Sequence, residues 1–540
     1  MKMKLLIFFT LMMSLIFGSI MLAYASDTLV FAISADVDQL DPGSTSVSKP
    51  VDNIFEGLVR FKAGTTKIEP CLATSWQISA DGKAITFNLR KGITFHDGTN
   101  FNADAVVFSF ARQYDPSHPY YQYGKWIMWG YLFKDIKELK KIDDDTVKLL
   151  LKRPNVSILT SLAHYQASIV SPINAEKYKE DTFKHPCGTG PFKFVEWVKD
   201  DHITLEANND YWQERAKLDQ LIFKVIPDPS ARLMALEVDS VQGIEYPNPA
   251  DFDRIKANKD LVLMTQPGMN VGYMAINTGY GYIDANKNGI RDVPDEPLIK
   301  NPGYLEPLTK RKVRHAINMA IDKQSIADNI YMGSAIKAKN GMPPFMLGYN
   351  DDIEDYPYDP ERAKALLVEA GYPDGFEVTL YVMPVSRPYM FDPPKIAEAI
   401  QSYLAAVGIK VKFYQVDWGS YLKEHCEGKH QMCLLGWISD NGDPDNFMSV
   451  YSKNNASIGT SKNSAFYIND SVQELLSEAI ATYDEEKREI CYKEIQEIVH
   501  EDAAWVYLVH STQNMAFRNN LKGFVLHPTS RAFFYPVWVE

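Results

Sequence analysis

Arg387 and Asp440 each follow, by a few residues, a stretch that reads as a β-strand, and together they offer one cation and one anion. The strand expected at 376–383 runs into Pro384-Val385-Ser386-Arg387-Pro388-Tyr389, and the one at 431–437 into Ile438-Ser439-Asp440-Asn441-Gly442-Asp443-Pro444-Asp445-Asn446-Phe447. In open α/β sheets ligands bind beyond the carboxyl ends of the strands. Parallel strands would therefore put both loops on one rim. A guanidinium matches a carboxylate through two parallel hydrogen bonds, and a carboxylate accepts from an ammonium. A pair of fixed charges could thus measure a short zwitterion, a dipeptide being about 7 Å long at ~3.3–3.6 Å per residue. The alternative is that both are solvated loop charges or pair with each other. Asp443-Pro444-Asp445 also reads as a turn, and the acidic residues could cap a helix starting near Asn446.

Two other groupings could hold metals. Asp284, Asn286, Asn288, Asp292 and Asp295 stand at positions 1, 3, 5, 9 and 12 of a loop with Gly289 at position 6. That spacing lets one segment wrap oxygens around Ca²⁺, with Ile290 offering its carbonyl. Asp295 stands where an EF-hand has a bidentate Glu, and no flanking helix pair is evident, so a bare calcium loop or an acidic surface turn are the two readings. His425, Cys426, His430 and Cys433 fall close together with the types of soft-metal ligands; the simpler reading is a helix end followed by a strand with a buried Cys433. The chain lacks G-x-S-x-G, H-E-x-x-H and G-x-x-x-x-G-K, so it offers no nucleophile elbow, zinc helix or P-loop.

The elements that must position these residues alternate after about residue 306. Thr309 is expected to cap a helix carrying Val313, Ala316, Ile317 and Ala320. Asp359-Pro360 starts another helix that Gly371 ends. Then come strand 376–383, helix 394–407 with Gly408 behind it, strand 409–416, a short helix over 421–425 and strand 431–437. This β-α-β-α-β series points to an α/β, mostly parallel sheet with covering helices. Helices at 470–482 and 484–500 and a strand at 505–509 follow. The first half reads as strands and turns instead. Ile85, Phe87 and Leu89 alternate after an Asp81-Gly82 turn that follows Trp76 and Ile78. Val147-Leu149-Leu151, Ile203-Leu205 and Leu221-Phe223-Val225 share that period, and one helix capped by Asn102 interrupts them. The tail from Thr512 to Glu540 returns to this texture, which implies two lobes joined by two crossovers.

The 540 residues include 56 Lys+Arg and 69 Asp+Glu, a formal charge of −13. That balance, without a basic run, argues against nucleic acid or an anionic membrane surface as partner. Lys2 and Lys4 open the chain, the run from Leu5 to Leu22 is almost wholly apolar, and Ala23-Tyr24-Ala25 gives the small-x-small pattern of signal-peptide cleavage after Ala25. The run could also span a bilayer, leaving an uncleaved anchor as the alternative. No Cys stands at the junction for a lipid anchor, and no second run reaches membrane length. Cys71, Cys187, Cys426, Cys433 and Cys491 make an odd count, so at least one would stay unpaired in an oxidising compartment.

Several segments give the chain a family resemblance. Ile68-Glu69-Pro70 with Leu72-Ala73 and Trp76, Leu89-Arg90-Lys91-Gly92 with His96-Asp97-Gly98, Asn102-Ala103-Asp104-Ala105-Val106, Gly188-Thr189-Gly190-Pro191-Phe192 and Tyr358-Asp359-Pro360-Glu361-Arg362-Ala363 resemble the extracytoplasmic solute-binding proteins, family 5, of peptide ABC transporters. Met383-Pro384-Val385 with Arg387-Pro388-Tyr389, and Gly436-Trp437 with the segment from Asp440 to Phe447, resemble its dipeptide branch. The resemblance implies a two-lobe fold hinged by two strands, with an extra subdomain in the first lobe. Lobe I would comprise 26–271 plus 512–540, its subdomain about 59–195, and lobe II 272–511, with 279–304 inserted. It further implies that Asp440 binds a peptide α-ammonium and Arg387 its α-carboxylate, that Trp437 and Tyr389 wall the pocket, and, through a looser match, that Thr45 and Ser46 face the ligand. The implied partners are a short peptide and ABC permease subunits, for a periplasmic, monomeric, non-enzymatic protein with no required cofactor. Longer oligopeptides or haem on the same fold, or an exported peptidase, are the alternatives.

Overall fold

The computed structural model describes residues 27–126, 128–283 and 298–540. The leader and the calcium-type loop from Asp284 to Asp295 lie outside them. Among the described residues no helix is long and apolar enough to cross a membrane, and all five cysteines are free thiols.

The period-two stretches became strands with one face inward, as burial of alternate side chains requires. The main sheet runs, in spatial order, Lys410–Tyr414, Glu377–Tyr381, Met432–Ile438, Asn270–Ile276, Trp505–Arg518, Gly243–Glu245, Thr28–Ile33, Gln220–Val225, His202–Ala207 and Phe192–Val198. Glu377–Tyr381 is parallel to both neighbours, Lys410–Tyr414 and Met432–Ile438. Met432–Ile438 is antiparallel to Asn270–Ile276, so the sheet is mixed. A separate four-stranded antiparallel sheet contains the expected hairpin, Ala73–Ile78 against Ala84–Leu89, and continues through Thr146–Leu151 to Ile136–Asp143. Helix Ala103–Tyr114 covers it, with Asn102 accepting from the Ala105 amide at 3.1 Å.

Three large apolar cores follow this layout. One gathers Phe87, Val106, Phe110, Val147 and Leu149 between the small sheet and its helix. A second gathers Phe31, Phe192, Phe223, Phe517 and Phe534. The third holds Met274, Ile317, Leu380, Ile396, Leu434, Tyr492 and Val506. The last two meet along Trp505–Arg518. Its first residues pair with Asn270–Ile276 and its later ones with Leu261–Pro267 and Gly243–Glu245. One continuous strand thus belongs to both lobes. At the passage, fully buried Asn270 grips Ser511: its Oδ1 accepts from the Ser511 amide and its Nδ2 donates to the Ser511 carbonyl, each at 3.0 Å.

One local expectation fails. Thr309 does not cap the helix Arg311–Ala320; it ends a one-turn helix, Glu306–Thr309, and its hydroxyl donates back to the Glu306 carbonyl at 2.8 Å. Lys310 takes the N-cap position without a side-chain cap bond. Pro307 at the front of that turn fixes φ and favours a helical start, which is why the chain coils once before the longer helix begins. Gly371 has φ +93° and follows helix Pro360–Glu369, with the Gly371 and Tyr372 amides donating to the Val368 and Leu367 carbonyls. This is a glycine-terminated helix end.

Candidate functional site

Parallel pairing of Glu377–Tyr381 with Met432–Ile438 brings their following loops to the same edge of the sheet. The first loop is closed by mutual bonds between Arg387 and Met390, at 3.0 and 2.9 Å. Its backbone oxygens are then claimed from three sides. Tyr331 Oη donates to the Tyr389 carbonyl at 2.9 Å. Ser511 Oγ lies 2.7 Å from the Pro388 carbonyl. Gly272 lies so near that an added Cβ would stand 2.2 Å from the Tyr389 oxygen, and the Tyr389 ring presses equally close on Gly436. Both glycines are therefore spaces that this loop fills. Arg387 emerges exposed, its guanidinium 5.1 Å from the Trp418 ring centre.

The second loop turns on Gly442, whose φ is +72°, with the Gly442 amide donating to Ser439 Oγ at 2.8 Å. Asp443 caps the helix Pro444–Met448 by accepting from the Asp445 amide at 2.9 Å. It also pairs at 2.6 Å with Arg488, both side chains being buried. This acidic residue is thus committed to structure and Asp440 is left for other work. The contact that aims Asp440 comes from Asn446. Asn446 Oδ1 accepts from Trp437 Nε1 at 2.8 Å, and its Nδ2 reaches Asp440 Oδ2 at 3.4 Å. Burial pushes the Asp440 carboxyl up to about 6, against the Asn446 bond and the Lys462 charge, which pull it down.

The two loops open on one cavity of about 1020 Å³. Arg387, Tyr389, Trp437, Asp440 and Ser46 all line it. Neither Arg387 nor Asp440 makes an ion pair among the described residues, while Arg232 on the same wall spends its guanidinium on the carbonyls of Ile226, Pro227, Glu245 and Tyr246. The cavity therefore presents one uncommitted cation and one uncommitted anion. Thr45 does not reach it. Its hydroxyl turns inward to Asp38 Oδ1 at 3.0 Å, it is fully buried, and its carbonyl accepts from Tyr165 Oη and Gln166 Nε2. The turn at Asp41 folds Thr45 inward, so only Ser46 of this pair faces the cavity.

Sequence reasoning also missed Asn446, Tyr246 and Ser511. The first stood inside a quoted segment, but its role depends on the chain folding back onto 437 and 440. Tyr246 follows the strand Gly243–Glu245 and Ser511 lies on the crossing strand Trp505–Arg518; both line the cavity through tertiary placement that no spacing reveals.

The family of bacterial extracellular solute-binding proteins, family 5, matches residues 67–458. The chain belongs to this family. Among its relatives, the dipeptide-binding protein of Escherichia coli is 37% identical over 548 residues, covering 98% of this chain and 97% of that protein. The heme-binding protein A of Haemophilus influenzae is 38% identical over 514 residues, covering 92% of this chain and 88% of that one. The ABC transporter-associated periplasmic binding protein of Helicobacter pylori, solved in complex with the peptide STSA, superposes with a TM-score of 0.80 at 35% identity, covering 95% of this chain and 98% of that one. The fold is accordingly that of the two-lobe solute-binding proteins, and these relatives are substrate-binding proteins rather than enzymes.

Proposed function

We propose that this family 5 protein captures short peptides, dipeptides foremost, outside the cytoplasm and presents them to the membrane subunits of an ABC transporter. The observation that carries the reading is the pair of uncommitted charges on one cavity: Arg387 for the peptide carboxylate and Asp440 for its ammonium, with Trp437 and Tyr389 as walls and Ser46 opposite. Contacts from both lobes favour the closed form, so ligand capture and closure are one equilibrium. Names and ligands of the relatives support the same chemistry. Calorimetry with Ala-Ala and with its N-acetylated and C-amidated forms tests it. Binding of the free dipeptide and loss of affinity from each block are expected; equal affinity of all three would remove the two-ended recognition.

The cavity volume supports a second reading, in which tri- and tetrapeptides also fit, since about 1020 Å³ is the upper end of the usual ligand-site range of ~300–1,000 Å³. A peptide-length series in the same calorimeter separates the two. Haem is the further alternative, suggested by the Haemophilus relative, and a Soret titration reads it directly. We read the protein as a binder and not a peptidase, a reading that release of free amino acids from Ala-Ala would overturn. Export with cleavage after Ala25 is part of the same proposal and is read by N-terminal sequencing of the secreted protein. So is a monomeric state, read by light scattering.

A further inference from the structure

The simpler reading of the segment around Cys433 describes its local structure: helix Trp418–Cys426 ends and strand Met432–Ile438 begins. The fold adds something that spacing did not show. One ring nitrogen each from His425 and His430 and the Cys433 sulfur lie within 4.8 Å of one another, and all three residues are buried. The two imidazole planes are nearly parallel, at 8°, with ring centres 5.1 Å apart. Two imidazoles bound to one tetrahedral ion have centres roughly 5 Å apart, given metal–nitrogen bonds of ~2.0–2.1 Å. His430 Nε2 sits 2.7 Å from the Ser464 carbonyl, which can only accept. This fixes the proton on Nε2 and leaves Nδ1 as a bare lone pair, and that Nδ1 is buried with no hydrogen-bond partner. A ligating histidine held by a carbonyl at its other nitrogen is the usual outer-shell arrangement of metal sites. His425 Nε2 is likewise held, 2.9 Å from Ser464 Oγ. Half-buried Cys426 lies beside the group, its Sγ 3.9 Å from His425 Nδ1.

We propose that His425, His430 and Cys433 form a structural site for a borderline-soft transition-metal ion of the Zn²⁺ class, with Cys426 available as a fourth ligand. On binding, the Cys433 S–H bond breaks, its proton leaves to solvent and the sulfur coordinates as thiolate. Tetrahedral ligand separations are ~3.3–3.8 Å, so the longest separation must shorten by about 1 Å, which side-chain rotation provides. Cys433 is near the start of its strand and Asp440 lies beyond the other end, Ile438 being five residues or roughly 16 Å on at ~3.3 Å per residue. The ion would thus pin the Ser464 segment to the sheet without touching the peptide cavity.

The test uses the full protein stripped with a chelator and reloaded with Zn²⁺ or with Co²⁺ as a visible probe. One ion per chain, a higher melting temperature, and a Co²⁺ spectrum with a thiolate charge-transfer band are expected. The double variant Cys426→Ala/Cys433→Ala should lose that band and His430→Gln should weaken retention of the ion, with Ala-Ala affinity unchanged within about twofold. Absence of a retained ion in the unmutated protein overturns the proposal. So does a Co²⁺ spectrum lacking the thiolate band, which would place the ion on oxygen ligands elsewhere. The unmutated protein alone decides this, so a variant that fails to fold does not rescue it.

Discussion

The Tyr131 ring meets the Trp437 ring edge-on across the lobes, with centres 5.8 Å apart and planes at 73°. Tyr131 packs against the core of the small sheet, whereas Trp437 lines the ligand cavity on the opposite lobe. Such an aromatic pair is worth about 0.5–1.5 kcal/mol, and it exists only while the lobes are together. Tyr131→Ala should therefore weaken Ala-Ala binding roughly two- to twelvefold, and should also lower the melting temperature of the unliganded form through the packing it loses against the small-sheet core. Calorimetry reads the first and scanning calorimetry the second. An unchanged Kd would mean that the contact does not bias closure.

Arg387 is exposed and carries no structural bond through its guanidinium, so its removal should leave the fold intact. The charge-assisted contact it offers a carboxylate is worth about 1.5–3 kcal/mol, so Arg387→Ala should bind Ala-Ala roughly ten- to 150-fold less tightly. Arg387→Lys should fall between, because an ammonium lacks the forked geometry. Parent-like affinity in Arg387→Ala would reassign the site.

The Asp440 carboxyl, raised to about 6 chiefly by burial, gives binding and stability opposite pH dependences. Its unfolded value is ~3.9, so as pH falls the native state takes up the proton first. The unliganded fold is therefore destabilised by this group above about pH 6, and that penalty is relieved between pH 6 and 4. Asp445, also raised by burial to about 6, acts with the same sign on stability. A peptide ammonium needs the carboxylate. Affinity should be full above pH 6 and fall on acidification through it, approaching about tenfold per unit by linkage. Asp440→Asn should weaken binding at pH 8 and flatten the profile; a profile unaltered by that substitution would acquit Asp440.

Asn270 bonds the Ser511 amide and carbonyl from a fully buried position. The carbonyl also accepts from the Gly268 amide at 3.1 Å, so Asn270→Ala leaves chiefly the buried Ser511 amide unmade, at a cost of about 1–3 kcal/mol. A clear fall in the urea midpoint is expected at unchanged slope. Stability equal to the parent would show that water replaces the amide at no cost.

The oxygen spacing from Asp284 to Asp295 predicts that Ca²⁺ raises the melting temperature and that a chelator reverses it. At a hundredfold excess over Kd, binding adds about 2.7 kcal/mol by mass action. Asp284→Ala with Asp292→Ala should abolish the response. A melting temperature indifferent to Ca²⁺ in the parent leaves the segment as an acidic turn.

The sequence was most informative where a single period or a single cap decides structure. The hairpin through Ile78 and Ile85, the Asn102 cap and the Gly371 stop are all local choices, and each is where the pattern put it. That Arg387 and Asp440 open on one cavity was legible because strand ends announce their loops. Thr45 was misread because a one-residue difference in facing lies below the resolution of a loose motif match. Thr309 was misread because a capping residue and the last residue of a preceding turn look alike when Pro307 can start either arrangement. Asn446 was invisible for a different reason: a side chain that bonds both Trp437 and Asp440 acts through a fold-back that no linear spacing encodes.

Because Trp505–Arg518 contributes ladder bonds to both halves of the molecule, the joint is a pleated ribbon and not a slack tether. Opening must then be mostly torsion of a few peptide units, with the hydrogen bonds on either side kept. The halves stay aligned throughout, and a peptide that reaches one wall meets the other after a short swing, with little orientational freedom left to lose at the moment of capture.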